Sequence, residues 1–323
     1  MSGIPYMGSK RKLAPKIVDY ILQHNPSCKY VYDLFGGGGA VSFEFMKRKQ
    51  IKQVYYNELN TAVCELLRKI QIDGVTPEFY EWVDRETFHQ FKNGNDWKAG
   101  LIKTCWSFGN NQGSYMFSQE VEEPKRLLHE FIVNNNLDCL EKFNKHFNLN
   151  LDVSSINQKT ANERRLELQR IMSKQVKDKS ALKGFCINEE SSIRAISQQL
   201  QSLERLESLE QLQILDKGLI ISNMSYEQVK IETPADETII YLDPPYFSTA
   251  KYQENLCHKE LDNYIKSSPY KIYVSSYEWE GLCEVLAIEH RNILSATANN
   301  KVYEKLFCNR DEIIKELTLD DLF

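Results

Sequence analysis

The chain has 323 residues, of which 42% are hydrophobic and 26% are charged, with a formal net charge of -5. That length and composition suffice for one large domain or for a domain that carries a second. No stretch approaches the roughly 18 consecutive apolar residues of a membrane span, so we expect no membrane-embedded segment. The acidic balance argues mildly against nucleic acid as a partner, because non-specific affinity for DNA comes largely from lysine and arginine.

The cysteines and histidines argue against disulfides and metal sites. Eight cysteines are scattered at wide spacing with no CxxC pair, a pattern typical of reduced thiols in a cytosolic protein. The six histidines do not cluster with cysteines or acids at the spacing of metal ligands. Basic residues near the N-terminus are not followed by an apolar run, so no secretory signal is indicated. We expect a cytoplasmic protein without a bound metal.

The first predicted elements form a βαβ unit. Apolar residues at a spacing of four, with Pro15 in the first turn, predict a helix that begins near Leu13. A short strand over residues 30–35 runs into four glycines, a helix follows from Ala40, and a second strand covers residues 53–56. Strand, glycine turn, helix and strand within about thirty residues imply parallel strands.

The middle of the chain is polar and favours helices. Residues 191–213 carry leucines and isoleucines at spacings of three and four, the pattern of an amphipathic helix. Residues 154–185 hold eight basic residues against three acidic ones, a local excess on an acidic chain. Such a run is either a solvated face or a surface for phosphate groups, and residues 10–16 form a second basic spot.

The last stretch returns to alternating strands and helices. Short apolar runs at residues 219–221, 239–242 and 272–274 predict buried strands. A closing hairpin is indicated around residues 293–294 and 303–307.

Together these patterns predict an α/β fold with a Rossmann-like, mixed but mainly parallel sheet. The two outer stretches, residues 1–65 and 214–323, form a discontinuous domain around that sheet. The polar stretch between them, residues 66–213, forms a largely helical insert.

Glycines 36 to 39 directly follow a predicted strand, where they let the backbone pass close to a ligand without a clash from a Cβ. Glu58 ends the next strand about twenty residues later, where it can accept hydrogen bonds from ribose hydroxyls. The spacing is not that of a dinucleotide fingerprint, and a P-loop lysine is absent. A nucleoside site, an NAD site and a structural turn all remain open at this point.

The most informative segment is the tetrapeptide Asp243-Pro244-Pro245-Tyr246, which ends a predicted buried strand. Both prolines lack an N–H and fix φ, so the backbone is stiff and its carbonyls are free to accept hydrogen bonds. The Asp243 carboxylate and the Pro244 carbonyl can accept from a planar amino group, while Tyr246 stacks on its ring. The structural alternative is a rigid turn without chemistry.

That arrangement suits an aromatic exocyclic amine, whose lone pair is delocalised into the ring and is poorly nucleophilic. Two acceptors aimed at its hydrogens favour a pyramidal nitrogen and stabilise the positive charge that develops as the nitrogen attacks a methyl group. This chemistry is positioning and electrostatic preorganisation, with no covalent enzyme intermediate.

With these segments in view, the sequence resembles the Dam-like (D12 class) N6-adenine DNA methyltransferases, especially the shorter phage and prophage members. The resemblance covers residues 1–62 and 214–310 and is thin between them. It rests on four motifs in the family's order, which are Tyr6-Met7-Gly8-Ser9-Lys10, Asp33-Leu34-Phe35-Gly36-Gly37-Gly38-Gly39, Tyr56-Asn57-Glu58-Leu59-Asn60 and Asp243-Pro244-Pro245-Tyr246. Residues 106–117 look like the segment that leads into the target-recognition hairpin, without the arginine-bearing version of members that recognise GATC.

The resemblance implies a class I methyltransferase fold and methyl transfer from S-adenosylmethionine to N6 of an adenine flipped out of double-stranded DNA. The implied cofactor contacts are Tyr6, Lys10, Asp33, Phe35, Gly36, Gly37, Gly38, Glu58 and Asp243. The implied catalytic residues, which grip the adenine, are Asp243, Pro244, Pro245 and Tyr246. The implied DNA contacts of the insert are Lys159, Arg164, Arg165, Arg170, Lys174 and Asn111.

Two alternatives stay open. The same clamp serves any exocyclic amine, so N4-cytosine or RNA-base methylation is the second enzymatic hypothesis, although serine commonly replaces the aspartate in the cytosine enzymes. A catalytically silent methyltransferase fold used as a DNA-binding or regulatory module is the third. The expected setting is the cytoplasm of a prokaryotic cell, on nucleoid DNA, as a monomer or homodimer, with or without a cognate restriction enzyme.

Overall fold

A single mixed sheet lies at the centre of the molecule. The computed structural model describes residues 3–147, 151, 160–176, 201–212, 218–245, 257–291, 301–310 and 315–316. Within these ranges the sheet has eight strands. In chain order they are β1 (Tyr30–Asp33), β2 (Gln53–Asn57), β3 (Ile220–Ser222), β4 (Thr238–Leu242), β5 (Lys271–Ser276), β6 (Cys283–Arg291), β7 (Lys301–Cys308) and β8 (Lys315–Glu316).

The strands lie in the order β3-β2-β1-β4-β5-β7-β6-β8. β1 runs parallel to β2 and β4, and β3 and β5 continue the parallel part on either side. The prediction of a mixed, mainly parallel, Rossmann-like sheet is confirmed. β7 runs antiparallel to β5 and β6, so the predicted hairpin is formed by β6 and β7, but its first strand lies earlier than predicted. Residues 293–294, predicted for that strand, lie outside the described residues.

The described part of the chain contains ten α-helices. They are α1 (Ala14–His24), α2 (Ala40–Met46), α3 (Thr61–Asp73), α4 (Arg85–Phe91), α5 (Trp97–Cys105), α6 (Gln119–Asn134), α7 (Leu137–Phe147), α8 (Ala161–Val176), α9 (Gln201–Glu210) and α10 (His258–Ser267). The helices predicted after Leu13, from Ala40 and within residues 191–213 correspond to α1, α2 and α9, and residues 191–200 lie outside the described ones. Among the described helices, none has the length and apolar character that crossing a lipid bilayer demands.

The central strands form because their residues are apolar and are covered on both faces. All five residues of β4 and the last three of β1 are buried, as expected of parallel strands between two layers of helices. Successive side chains of a strand point to opposite faces. Tyr241 therefore packs in one core with Ile17 of α1, whereas Leu242 packs in the other with Leu261 of α10.

The helical region between α3 and β3 belongs to the larger of these two cores. Trp106 is fully buried in the same cluster as Val54 of β2. α5 lies close against α3 because Gly100 has no side chain, and a Cβ there would overlap the carbonyl group of Ala62. The predicted domain boundary after residue 65 falls inside α3, and the division of the chain into two domains stays a prediction.

Candidate functional site

The carboxyl ends of the parallel strands open on a cavity of about 600 Å³. Parallel strands collect these ends at one edge of the sheet, where open α/β sheets bind ligands. β1 is central, and its last residue, Asp33, lies beside Tyr56 of β2 and Tyr241 of β4. The cavity is lined by all the predicted cofactor contacts, which are Tyr6, Lys10, Asp33, Phe35, Gly36, Gly37, Gly38, Glu58 and Asp243.

The glycines at the end of β1 are required by the packing of the protein itself. A Cβ at Gly36 would overlap the ring of Tyr56, and one at Gly38 would lie 2.8 Å from the carbonyl oxygen of Ile4. Gly37 adopts a left-handed φ of 48°, which favours glycine. Tyr56 donates its hydroxyl to the Gly37 carbonyl at 2.7 Å and fastens the turn. Room for a ligand is therefore only part of the explanation, because protein atoms fill the space beneath the turn.

Glu58 closes the turn from the end of β2. Its Oε2 accepts a hydrogen bond from Gly37 N at 2.8 Å, and its Oε1 accepts one from Asn60 N at 2.9 Å. Burial raises the pKa of this carboxyl, and the backbone donors oppose that rise because they favour the charged form. Each carboxylate oxygen keeps a lone pair for a further donor, such as a ribose hydroxyl.

Asp33 lines the cavity, and only one of its two carboxyl oxygens accepts a side-chain hydrogen bond. Ser42 donates its hydroxyl to Oδ2 at 2.6 Å, while the buried Oδ1 has no hydrogen-bond partner among the described residues. Burial raises the pKa of Asp33 to about 7, and nearby Asp243 and Glu58 add to the rise. Three carboxyls, those of Asp33, Glu58 and Asp243, line this part of the described cavity wall together with one ammonium, that of Lys10, which suits a ligand that carries positive charge.

Asp243 follows β4 and is held by an ion pair. Lys10 Nζ lies 2.9 Å from Asp243 Oδ1 and 3.5 Å from Glu304 Oε1 of β7. Only 5% of the Lys10 side chain and 23% of the Asp243 side chain are exposed. Burial raises the pKa of the Asp243 carboxyl, and Lys10 acts against that rise through its charge and its hydrogen bond. Asp243 Oδ2 has no partner among the described residues, so it can accept from a ligand.

The residues after Asp243 continue along the cavity wall. Pro244 is buried and Pro245 is half-buried, and both line the cavity. Tyr246, the predicted stacking residue, lies outside the described residues. The structure thus places the tip of β4 and the glycine turn in one cavity, as the predicted chemistry requires.

The loop after β3 also lines the cavity, although no motif in the sequence marks it. Met224, Ser225 and Tyr226 all face this space. Asn57 Nδ2 donates to Leu34 O at 3.1 Å and to Met224 O at 3.0 Å, and so joins this loop to the end of β1. The position of this loop follows from the sheet topology, because the loop after a parallel strand lies at the same edge of the sheet as the loops after its neighbouring strands.

The helical region between α3 and β3 supplies Asn95 and Lys103 to the cavity wall, and neither is predicted from the sequence. Lys103 extends from α5 and donates to Gly94 O at 3.3 Å. Burial lowers the pKa of its ammonium, because the charged form is less well solvated there. Only the packing of α5 on α3 brings this lysine to the cavity, so the local sequence carries no signal for it.

The predicted DNA contacts Arg164 and Arg165 instead hold helices together. Each residue is only 8% exposed. Arg164 donates from Nε to Ile132 O at 2.7 Å and from Nη2 to Val133 O at 3.0 Å, so it caps the last turn of α6. Arg165 pairs with Glu207 of α9, with 2.6 Å between Nη2 and Oε2. Their donors are buried and already engaged, which gives both arginines a structural role, and the prediction that they contact DNA stays a prediction.

The remaining predicted contacts of this basic stretch differ in their surroundings. Arg170 is exposed on α8, and its Nη1 lies 3.4 Å from Glu167 Oε2. Lys159 lies outside the described residues, as does the side chain of Lys174. Within the described ranges no group of His, Cys, Asp and Glu side chains is arranged to hold a metal ion.

Asn111, the last predicted DNA contact, lies in a loop at the rim of the cavity. The loop, residues 106–116, is closed by a hydrogen bond from Met116 N to Trp106 O at 3.0 Å. Asn60, which lines the cavity, donates from Nδ2 to Gln112 Oε1 of this loop at 3.1 Å. Asn111 itself is exposed, and its carboxamide oxygen accepts two backbone hydrogen bonds that shape the turn.

Comparison with known protein families confirms the family resemblance that the sequence motifs indicate. A family model described as D12 class N6 adenine-specific DNA methyltransferase matches residues 6–272. The matched range begins at Tyr6 of the cavity wall, includes the helical region between α3 and β3, and ends in β5. No curated protein matches the chain.

Proposed function

Because the chain belongs to the family of D12 class N6 adenine-specific DNA methyltransferases, we propose that the cavity binds both S-adenosylmethionine and the target adenine. The protein is an enzyme that transfers a methyl group from S-adenosylmethionine to N6 of adenine in DNA. The observation that carries the proposal is the meeting of Asp33, Glu58 and Asp243 in one cavity of about 600 Å³. Small-molecule sites commonly have volumes of this size.

The cofactor lies along the glycine turn. Glu58 accepts from the ribose hydroxyls with the lone pairs that Gly37 N and Asn60 N leave free. Asp33 Oδ1 accepts from the ammonium of the methionine portion, which supplies the partner that the described residues do not. Tyr6 packs on Gly37 and Gly38 and forms the opposite wall. When bound, S-adenosylmethionine supplies an electrophilic methyl group on sulfur.

Asp243 and Pro244 hold the adenine amino group. Asp243 Oδ2 and the Pro244 carbonyl oxygen accept its two hydrogens, so that the nitrogen lone pair points toward the methyl carbon. A C–N bond forms as the C–S bond breaks, the electron pair of the C–S bond stays on sulfur, and N6 then releases one proton to solvent. The Asp243 carboxylate stabilises the positive charge on N6, and Lys10 keeps that carboxylate ionised and oriented.

The target adenine reaches this position only when it is flipped out of the duplex. Asp243 is mostly buried and Pro244 is buried, so both acceptors lie below the surface that a duplex touches. A base inside the stack cannot expose N6 to them, and extrusion costs a few kcal/mol that new contacts in the pocket recover.

The insert contacts DNA around the mouth of the cavity. Lys103 has no ion-pair partner among the described residues, and a backbone phosphate beside the flipped adenosine satisfies its charge. Exposed Arg170 and Asn111 remain further contacts, as do Lys159 and Lys174. The substrate form is double-stranded DNA in the cytoplasm of a prokaryotic cell, and the enzyme acts as a monomer or homodimer.

Methyl transfer from labelled S-adenosylmethionine to DNA tests the proposal. The expected product is labelled N6-methyladenine, with RNA and DNA that contains no adenine as matched controls. Label in N4-methylcytosine, or preferential transfer to RNA, would support the second enzymatic hypothesis instead. Cofactor binding without transfer to any of these substrates would indicate a silent module. Mapping of modified adenines in cells that express the chain then gives the recognition sequence.

A further inference from the structure

A buried glutamate that the proposed chemistry does not use lies behind the catalytic ion pair. Glu304 is in the middle of β7, opposite Ile288 of β6, and only 3% of it is exposed. It shares the face of β7 that carries Leu306 and Cys308, two residues of the larger hydrophobic core. An unpaired carboxylate at such a position is strongly unfavourable, so its surroundings must compensate for the burial.

Lys10 provides that compensation and joins Glu304 to Asp243. Its Nζ lies 3.5 Å from Glu304 Oε1 and 2.9 Å from Asp243 Oδ1, and 5% of the lysine side chain is exposed. One buried ammonium therefore serves two carboxylates that come from different strands. The shorter of the two distances is to Asp243, whose Oδ2 is left for a ligand.

The charge of this group depends on Glu304. With both acids ionised, two carboxylates and one ammonium leave one net negative charge beside the adenine amino group. Without the charge of Glu304, Lys10 and Asp243 form a neutral pair, and the negative potential at Asp243 Oδ2 becomes weaker. That potential is what stabilises positive charge on N6 during methyl transfer, and it acts strongly in a site shielded from water.

We propose that Glu304 is a positioning residue for the methyl-transfer reaction: it holds Lys10 and shares its charge, so that Lys10 does not fully cancel the negative potential that the Asp243 carboxylate presents to the substrate. This inference rests on the proposed placement of the adenine amino group at Asp243. Glu304 acts through Lys10 and touches neither the adenine nor the cofactor.

The kinetic test compares Glu304→Gln and Glu304→Asp with the wild-type enzyme. Glu304→Gln keeps the shape and removes the charge, so kcat is expected to fall about 10- to 100-fold, as for residues that orient a reactive group, with little change in KM for DNA. Glu304→Asp keeps the charge and is expected to recover part of the loss. Glu284→Gln is the matched control. Glu284 lies on the adjacent strand β6, its Oε2 is 2.9 Å from Lys305 Nζ, and neither residue lines the cavity.

The pH profile of kcat separates this role from a purely structural one. The titratable groups that face Asp243 are Lys10, Asp33 and Tyr241, with Glu304 behind Lys10. Removal of the negative charge of Glu304 favours the ionised form of Asp243, so the acid limb of the profile should move to lower pH. A lower plateau with an unmoved acid limb would overturn the inference, as would a Glu304→Gln enzyme with wild-type kcat.

Unfolding by urea gives a test that is independent of activity. Lys10→Met removes the ammonium that lies 3.5 Å from buried Glu304, whereas Lys10→Met/Glu304→Gln removes both charges of that ion pair. The double variant is therefore expected to unfold at a higher urea concentration than Lys10→Met, and equal midpoints would contradict the pairing. If wild-type protein does not methylate adenine, the proposed function falls. If wild-type protein does methylate adenine and the Glu304→Gln variant behaves like it in every assay, the proposed function stands and only the role of Glu304 is contradicted.

Discussion

The cavity and helix α8 both contain buried cations paired with carboxylates. The two regions differ in whether a carboxylate oxygen is still available to accept a hydrogen bond from a ligand. At the cavity, Lys10 binds Asp243 through one oxygen and leaves the other without a partner among the described residues. On α8, Arg165 engages both oxygens of Glu207, with Nε and Nη2 each 2.6 Å from one of them. A buried charge with an unused acceptor is prepared for a ligand, whereas a saturated pair holds helices together.

The largest expected effect concerns the unused acceptor of the cavity. Asp243→Ala should lower turnover at least about 100-fold, because it removes the group that stabilises charge on N6. The fold should persist, since Asp243 follows the last residue of β4. Initial rates and urea unfolding measure the two effects, and Asp236→Ala, in an exposed turn before β4, is the control expected to retain full activity. A variant that keeps a tenth of the wild-type rate would contradict the assigned role.

For the Arg165–Glu207 pair we expect a loss of stability without a loss of DNA affinity, whereas Asp243→Ala should lower activity without unfolding the protein. Arg165→Ala should lower the free energy of unfolding by about 3 kcal/mol, because Glu207 loses its partner in a mostly buried position. The salt dependence of DNA binding should not change. Arg170→Ala, at an exposed position on the same helix, should lower stability less. An unchanged unfolding midpoint together with a weaker salt dependence of DNA binding would show that Arg165 contacts DNA.

The next prediction concerns Asp33, a cavity carboxyl whose pKa is raised by burial. Its pKa of about 7 in the folded protein exceeds the ordinary value of 3.8, so the folded state binds this proton more tightly. The resulting contribution to stability is complete below pH 3.8 and is lost as the pH rises to about 7. Urea unfolding across this range should show a smaller decline for Asp33→Asn than for the wild type. Parallel curves for the two proteins would show that Asp33 is not the group responsible.

The smallest expected effect concerns the cavity cation that has no carboxylate partner among the described residues. Lys103→Ala should weaken DNA binding a few-fold and reduce the slope of log K against log salt by about 1, the value for one lost phosphate contact. Lys98→Ala is the control on the same helix, because Lys98 is exposed and does not line the cavity. Fluorescence anisotropy with labelled DNA measures both. Equal losses for the two variants would place the phosphate contact elsewhere.

The elements predicted most accurately are those whose signal is local and repeated. β1, α2 and β2 follow from a short apolar run, four glycines and a second apolar run, and β4 follows from an uninterrupted apolar run before Asp243. β6 was not predicted, because its sequence mixes charged and apolar residues and pairs only through β7. The glycine turn lies where its sequence predicts it, and its glycines are required by the packing of Tyr56 and Ile4 beneath the turn as well as by room for a ligand.

The predicted cavity residues share one property that the basic stretch lacks. Each belongs to a short motif at the end of a parallel strand or in the N-terminal segment, and the topology brings these ends together. Arg164 and Arg165 belong to a charge run, which does not specify the direction in which a side chain points. On α8 both point inward, where the carbonyls of α6 and the acids of α9 are within reach.

The sequence by itself determined the βαβ unit with its parallel strands, the glycine turn and the stiff Asp-Pro-Pro segment, because φ preferences and apolar periodicity are properties of neighbouring residues. Only the tertiary structure decided which charges serve the reaction. Lys10 and Asp243 are 233 residues apart, and Glu304 and Lys103 reach the site through β7 and α5. The role of a charge depends on the groups within a few ångströms of it, and those groups are chosen by packing between distant segments.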